Sequence, residues 1–364
     1  MTIKARYRDG VIHKLFTTFL RLVTTGLVVW GMGSLSSDGW ASETHPFFIR
    51  ISILRDAPTL EKALQTLVQR DYQGTIRVVP DKQGRYDAVN ILDIEDYLLG
   101  VIGREMNPNS PLEALKVQAI AARTHALYLA RASENQSYDL VANLSQAYLG
   151  KDKLSKNVVL ALEITRGQIL QCKGKTIPAY FHASCGGHTE PASTIWKIAA
   201  AKGGDASRSD AVSCPWCAKS DENKWSLKIS KATLQRTLKQ ADLKVGASPV
   251  IIVTERAPGG HAVNVAIRSE AGEIRLDGDR LRSILGYTNL KSTLFEVSTT
   301  KNPDGTPGDT LVFSGNGFGH GVGLCQFGAE RMARKGASGE RILAYYYPNC
   351  RVVSYESGKP ASGK

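Results

Sequence analysis

Apolar and polar positions alternate along residues 47–54, the two-residue period of a strand with one buried face. Residues 60–69 repeat apolar positions at helical spacing instead. Residues 74–79 and 86–92 return to alternation on either side of Asp81-Lys82-Gln83-Gly84, a turn sequence, so a small α+β unit is expected to close near residue 98. Beyond it, Leu112, Leu115, Ala119, Ala122, Ala126 and Leu129 recur at helical spacing behind Ser110-Pro111-Leu112-Glu113, which has the form of a capping box with proline at the first helical position. The N-terminus of this helix would aim N–H groups and the positive end of its dipole at Gly103-Arg104-Glu105-Met106-Asn107-Pro108, a loop entered from a strand-like segment at 97–102.

Downstream, residues 176–182 read as a strand running into Cys185-Gly186-Gly187. Residues 197–224 form a polar, lysine-rich loop holding Cys214 and Cys217, of a length usually reserved for function or for a metal clip. A helix is expected over 230–240, a hairpin over 250–255 and 262–268 about Pro258-Gly259-Gly260, and a helical run over 328–335. No internal repeat is visible. The fold class is α+β, with mixed helices and antiparallel strands: a core catalytic domain and smaller accessory α+β segments. The expected segments are 1–42, a leader; 47–98, an N-terminal α+β segment; 99–222, the first part of the core with the cysteine loop; 223–298, an accessory α+β segment; 299–352, completion of the core; and 353–364, a disordered tail.

Lys4, Arg6, Arg8 and Lys14 stand against Asp9, and a largely apolar stretch at 15–35, broken by Arg21, leads to Trp40-Ala41-Ser42. This reads as a signal peptide, with a retained membrane anchor and a cytosolic protein with an apolar start as the alternatives. Over the 364 residues, 42% apolar and 22% charged content excludes wholesale disorder, collagen and a polytopic membrane protein. A net charge of +12 favours a polyanionic partner. Export turns that expectation away from nucleic acid and toward the cell envelope, in the periplasm or on the extracytoplasmic face. Six cysteines are too few for a disulfide scaffold.

Three constellations could carry chemistry. Glu105 has apolar neighbours such as Met106 that would raise its pKa by desolvation, as a general acid requires; the plain alternative is a surface carboxylate paired with Arg104. Gly315-Asn316-Gly317-Phe318-Gly319-His320-Gly321-Val322-Gly323 lacks the βαβ unit and the later acidic residue of a dinucleotide site, so no organic cofactor is expected. Close backbone approach to a sugar chain, with Gly319 and Gly321 flanking His320, fits better; a glycine-rich hairpin with a structural histidine is the alternative. Finally, His182, Cys185, Cys214 and Cys217 have the ligand types and spacings of a structural zinc site, with His188 as a substitute ligand. A Cys214–Cys217 or Cys185–Cys214 disulfide is the rival, and Cys172, Cys325 and Cys350 read as packing residues or an unassigned disulfide.

Several stretches together resemble the stage II sporulation protein D and amidase enhancer family, which acts on peptidoglycan. They are Asn90-Ile91-Leu92-Asp93-Ile94-Glu95-Asp96-Tyr97-Leu98, Gly103-Arg104-Glu105-Met106, Glu113-Ala114-Leu115-Lys116-Val117-Gln118-Ala119, Ala122-Arg123-Thr124 and Gln146-Ala147-Tyr148-Leu149-Gly150. Tyr180-Phe181-His182-Ala183-Ser184-Cys185-Gly186-Gly187-His188-Thr189, Leu290-Lys291-Ser292-Thr293-Leu294-Phe295, Gly317 through Gly323, Gln326-Phe327-Gly328-Ala329 and Tyr345-Tyr346-Tyr347-Pro348 extend the match across about residues 47–352. Phe327 stands where the family usually has tyrosine, and Cys325 where it has serine. The resemblance implies a lytic transglycosylase acting on the MurNAc–GlcNAc bonds of peptidoglycan strands, with Glu105 as its acid and base and 1,6-anhydro ends as its product. Arg104, Arg123 and Gln326, in matched blocks, join Gly319, His320 and Gly321 as candidate glycan-binding residues. Metal-bearing members of the family place zinc near the block matched by residues 182–189. The alternatives are a non-catalytic glycan-binding enhancer of a cell-wall amidase and, less in keeping with a thiolate-rich site, a metallohydrolase.

Overall fold

The computed structural model describes residues 2–4 and 47–355, apart from 82, 134–136, 144, 149, 151–154, 197–210 and 219. The expected leader and the end of the tail therefore lie mostly outside the described residues. Within them the fold is α+β. A five-stranded sheet has the order Thr2–Lys4, Thr75–Pro80, Tyr86–Asp93, Phe48–Ala57 and Leu140–Val141. Its inner face, including Ile49, Ile51, Ala88 and Leu92, packs with one stripe of the helix Leu112–Ala132 in a single core. A second core forms around Val117, Ile120 and Ala121 on the same helix, with Ala329, Ile342, Leu343 and Tyr346 from the helices Gln326–Arg334 and Gly339–Tyr346. The long helix is thus buried on two sides, which explains its run of small alanines.

Two local expectations give way to tertiary contacts. Residues 97–102 are helix and turn, not strand-like: Asp93 caps the helix Ile94–Leu99 by accepting the Glu95 N–H at 2.9 Å, and Ile94, Tyr97 and Leu98 turn inward together. The capping box at Ser110 does not form, because the Ser110 hydroxyl donates to Glu330 at 3.0 Å and Glu113 accepts the Gly339 N–H at 2.5 Å instead. The start of the expected tail is also ordered. The strand Cys350–Ser354 pairs antiparallel with Gln168–Cys172, and Tyr355 is buried with its ring edge-on to Phe47. A Cys172–Cys350 disulfide joins these two strands, so neither cysteine is a mere packing residue.

A third core contains Trp225, Leu234, Val265, Leu281, Phe295 and Phe313. It holds the sheet Val250–Arg256, Ala262–Ser269, Gly272–Asp277, the helix Lys231–Gln240 capped by Ser230, and a second sheet in which Pro307–Asn316 lies between Phe295–Lys301 and Lys224–Ser230. The accessory segment expected to end at 298 therefore shares its sheet and core with residues 307–316. Among the described residues no helix is long and apolar enough to cross a membrane.

Candidate functional site

Glu105 ends a one-turn helix, Ile102–Glu105, and is half-buried. Its Oε1 accepts the Ala147 N–H at 2.5 Å, and Gln326, the first residue of the helix Gln326–Arg334, donates from its side chain. Burial raises the Glu105 pKa above the usual carboxylate range, and those two donors pull it back only in part. Burial and the two donors thus act in opposite senses on the same carboxyl. Its surroundings are themselves fixed. Tyr97, buried beneath it, donates to Gln146 Oε1 at 2.7 Å, while Gln146 Nε2 donates to the Ala122 carbonyl at 3.0 Å and so anchors the stretch that presents the Ala147 N–H. Gln326 also donates to Gln118 at 3.2 Å, tying the carboxyl's second donor to the long helix. Gln118, Tyr97, Gln146 and Ala147 all sit in segments with family resemblance, yet nothing in their spacing brings them to Glu105.

The other expected glycan-binding residues divide. Arg104 is exposed beside Glu105. Arg123 is a correction: it is fully buried and grips Glu95 with Nε and Nη2 at 2.8 and 2.7 Å, so its charge is consumed inside the core and does not meet a ligand. Gly319 and Gly321 serve the interior as well. Both have left-handed φ, +124° and +78°, and a Cβ at either would stand 2.6 Å from His182 Cβ or 2.5 Å from His261 Cε1. Gly321→Ala is accordingly expected to cost stability, about 1 kcal/mol or more, with urea unfolding as the readout; an unchanged midpoint would return the loop to a purely ligand-facing role. His320 is half-buried, its Nδ1 accepting the Val322 N–H at 3.0 Å and its ring 5.3 Å from that of His182.

The cysteines come together, but not with the expected partner. Strand Leu324–Cys325 pairs in parallel with Phe181–His182, which brings Cys325 to the sulfurs of Cys185, Cys214 and Cys217, all four within 4.8 Å of one another. His182 points elsewhere, its Nδ1 to the Val322 carbonyl at 3.0 Å, and His188 pairs with Ser213 through the backbone; neither belongs to the sulfur cluster. Sulfur–sulfur approaches of 3.5 Å for Cys214–Cys217 and 3.2 Å for Cys217–Cys325 leave free thiols where a disulfide was the rival reading. The N–H groups of Cys185, Gly187 and Gly328 donate to cluster sulfurs at 3.3–3.4 Å. Hydrogen bonds from the neighbouring thiols, that of Cys185 first, hold the Cys217 thiol far below its ordinary range. A tetrahedral zinc with Zn–S near 2.3 Å sets its sulfurs about 3.8 Å apart, so this donor set and spacing fit that ion. His182 and His261, both buried, are pushed down to about 4 by desolvation and stay neutral beside it.

The family model for Stage II sporulation protein matches residues 82–171, and a model for a domain of unknown function matches residues 217–323. A Stage II sporulation protein D of Bacillus subtilis is 30% identical over 75% of this chain and 78% of its own. The chain belongs to the stage II sporulation protein D family. An uncharacterized protein of Brachyspira hyodysenteriae is 32% identical over 80% of this chain and 74% of its own. The amidase enhancer of Bacillus subtilis is 27% identical over 71% of this chain and 40% of its own. For a member of the stage II sporulation protein D family, the first match spans Glu105, Gln118 and Gln146. Gln326 lies outside both matched regions and is brought to the site by the pairing of residues 324–325 with 181–182 and by its bond to Gln118.

Proposed function

We propose that the chain is an exported lytic transglycosylase of the cell envelope that cleaves the MurNAc–GlcNAc bonds of peptidoglycan strands. The observation that supports this most is the state of Glu105: a half-buried carboxyl with a raised pKa whose hydrogen-bond partners are a backbone N–H and a glutamine, not a second carboxylate. Glu105 protonates the glycosidic oxygen as the C1–O bond breaks and positive charge spreads over C1 and the ring oxygen. The resulting carboxylate then takes the proton of the muramic acid C6 hydroxyl as that oxygen bonds to C1. A 1,6-anhydro ring forms, Glu105 regains its proton, and no water is consumed. The Ala147 N–H and Gln326 favour the carboxylate that exists between the two transfers.

Because Glu105 must begin protonated, cleavage is expected to fall as pH rises through its raised pKa. Gln326→Leu removes a donor that stabilises the carboxylate, so the alkaline limb of the kcat/KM profile is expected to move to higher pH; a limb that stays put would detach Gln326 from the carboxyl. A resident zinc fits as a structural element held by Cys185, Cys214, Cys217 and Cys325, closing the strand after His182 onto residues 214–217. A four-thiolate shell leaves no open position, so the chemistry it supplies is cross-linking. Cys325→Ala is expected to abolish stoichiometric zinc and lower the melting temperature, whereas His182→Ala keeps the metal; loss of zinc only in the histidine variant would restore the ligand set read from spacing.

The Cys172–Cys350 disulfide and the basic charge accord with an oxidising, polyanion-rich envelope. Similarity to the amidase enhancer supports a second reading, in which the chain holds glycan and stimulates an amidase. Incubation with insoluble peptidoglycan separates the two: soluble saccharides released by the chain alone support cleavage, and release only when a purified cell-wall amidase is added supports the enhancer.

A further inference from the structure

All five histidines among the described residues lie around the glycine-rich loop or the strand that faces it, and three half-buried rings there cluster at steep mutual angles, 56–76° between their planes. The Tyr180 and Trp196 centroids are 4.8 Å apart, Trp196 and His320 5.0 Å, and Tyr180 and His320 6.3 Å. The main chain of Tyr180 and the rings of Trp196 and His320 are held by hydrogen bonds. The Tyr180 carbonyl accepts from Leu324 N–H at 2.9 Å and Tyr347 O–H at 2.7 Å, the Trp196 indole donates to Asp279 at 3.4 Å, and His320 Nδ1 accepts the Val322 N–H. The largest buried aromatics, such as Tyr97, Tyr346 and Phe313, are sealed in the three main cores, whereas these three rings keep part of their surface open. A pyranose ring has apolar C–H faces and a hydroxylated edge. A fixed, partly open group of aromatic and imidazole rings offers it apolar surface bordered by polar atoms.

The long helix measures how far these rings lie from the carboxyl. Gln118 contacts Gln326 at the Glu105 end, and His125, seven residues on along the same stripe, sets its ring 5.6 Å from Tyr180. Seven residues advance about 10 Å along a helix, farther than one sugar ring spans. We propose that Tyr180, Trp196 and His320 form a stacking subsite for a pyranose ring of the same glycan strand, displaced along the strand from the bond at Glu105. The subsite rests on the glycan-cleaving reading above and adds where a distal sugar is held.

The test is binding of the full chain to peptide-free glycan strands, which does not depend on turnover. Trp196→Ala and Tyr180→Ala, with melting temperatures like that of the wild type, are expected to weaken retention about tenfold, and Trp196→Phe to stay within roughly twofold. Should the alanine variants fold poorly, tryptophan emission gives the second readout: the wild-type emission shifts when strands are added, and the shift is lost in Trp196→Phe. A folded Trp196→Ala chain that binds like the wild type, or a shift that persists without Trp196, overturns the subsite alone. A wild-type chain that does not bind the strands overturns the subsite and the glycan-cleaving reading together.

Discussion

Glu105→Gln is expected to remove glycan cleavage while leaving the melting temperature within a few degrees of wild type. The amide matches the carboxyl in shape, and its carbonyl oxygen can still accept the Ala147 N–H, so the contacts that hold the one-turn helix survive. It can neither give a proton to a leaving oxygen nor take one from a hydroxyl. Positioned acid–base groups contribute roughly 10²–10⁴ in rate, and both transfers pass through this one group, so a loss of at least about a hundredfold is expected. Residual activity within about tenfold of wild type, some 1.4 kcal/mol of barrier, would remove Glu105 from the chemistry.

The largest expected effect on stability lies at the buried pair. Glu95→Ala strands the Arg123 guanidinium, wholly enclosed by the helices Ile94–Leu99 and Leu112–Ala132 and the strand Gln168–Cys172, with only the Ala119 and Gln168 carbonyls left to it. Losing one partner of such a pair costs about 3–5 kcal/mol, much of the roughly 5–15 kcal/mol that holds a domain together. Replacing both, as Glu95→Leu with Arg123→Met, removes the charge from the core and is expected to recover most of that loss. Equal melting temperatures for the single and double variants would show that the cost does not come from an unpaired charge. Circular dichroism melts of the three chains decide it.

This same arginine shows what the sequence conceals. Arg123 sits among Ala119, Ala121, Ala122 and Ala126, small residues that mark an enclosed position, whereas the family resemblance marks only the block that contains it. The strong periodicity of the long helix and of the hairpin over 250–269 was legible because local pattern and tertiary burial agree there. The start of the long helix was less so, since the Ser110 hydroxyl is claimed by Glu330, 220 residues away. Spacing found Cys185, Cys214 and Cys217, but the fourth thiol reaches them from 140 residues beyond Cys185 through a two-residue parallel pairing. Glu105 stands out in the sequence by its apolar neighbour Met106 and its matched block alone, since its donors from Ala147 and Gln326 are long-range contacts.

The proposed reaction is tested most directly by the mass of the ends it makes. Purified, peptide-free glycan strands incubated with the wild-type chain are expected to yield fragments ending in 1,6-anhydro-muramyl units, lighter by one water than hydrolysed fragments. The same fragments should be absent with Glu105→Gln. Fragments carrying reducing muramyl ends, or strands left intact by a chain that is folded and binds them, would contradict cleavage by a single proton-cycling carboxyl.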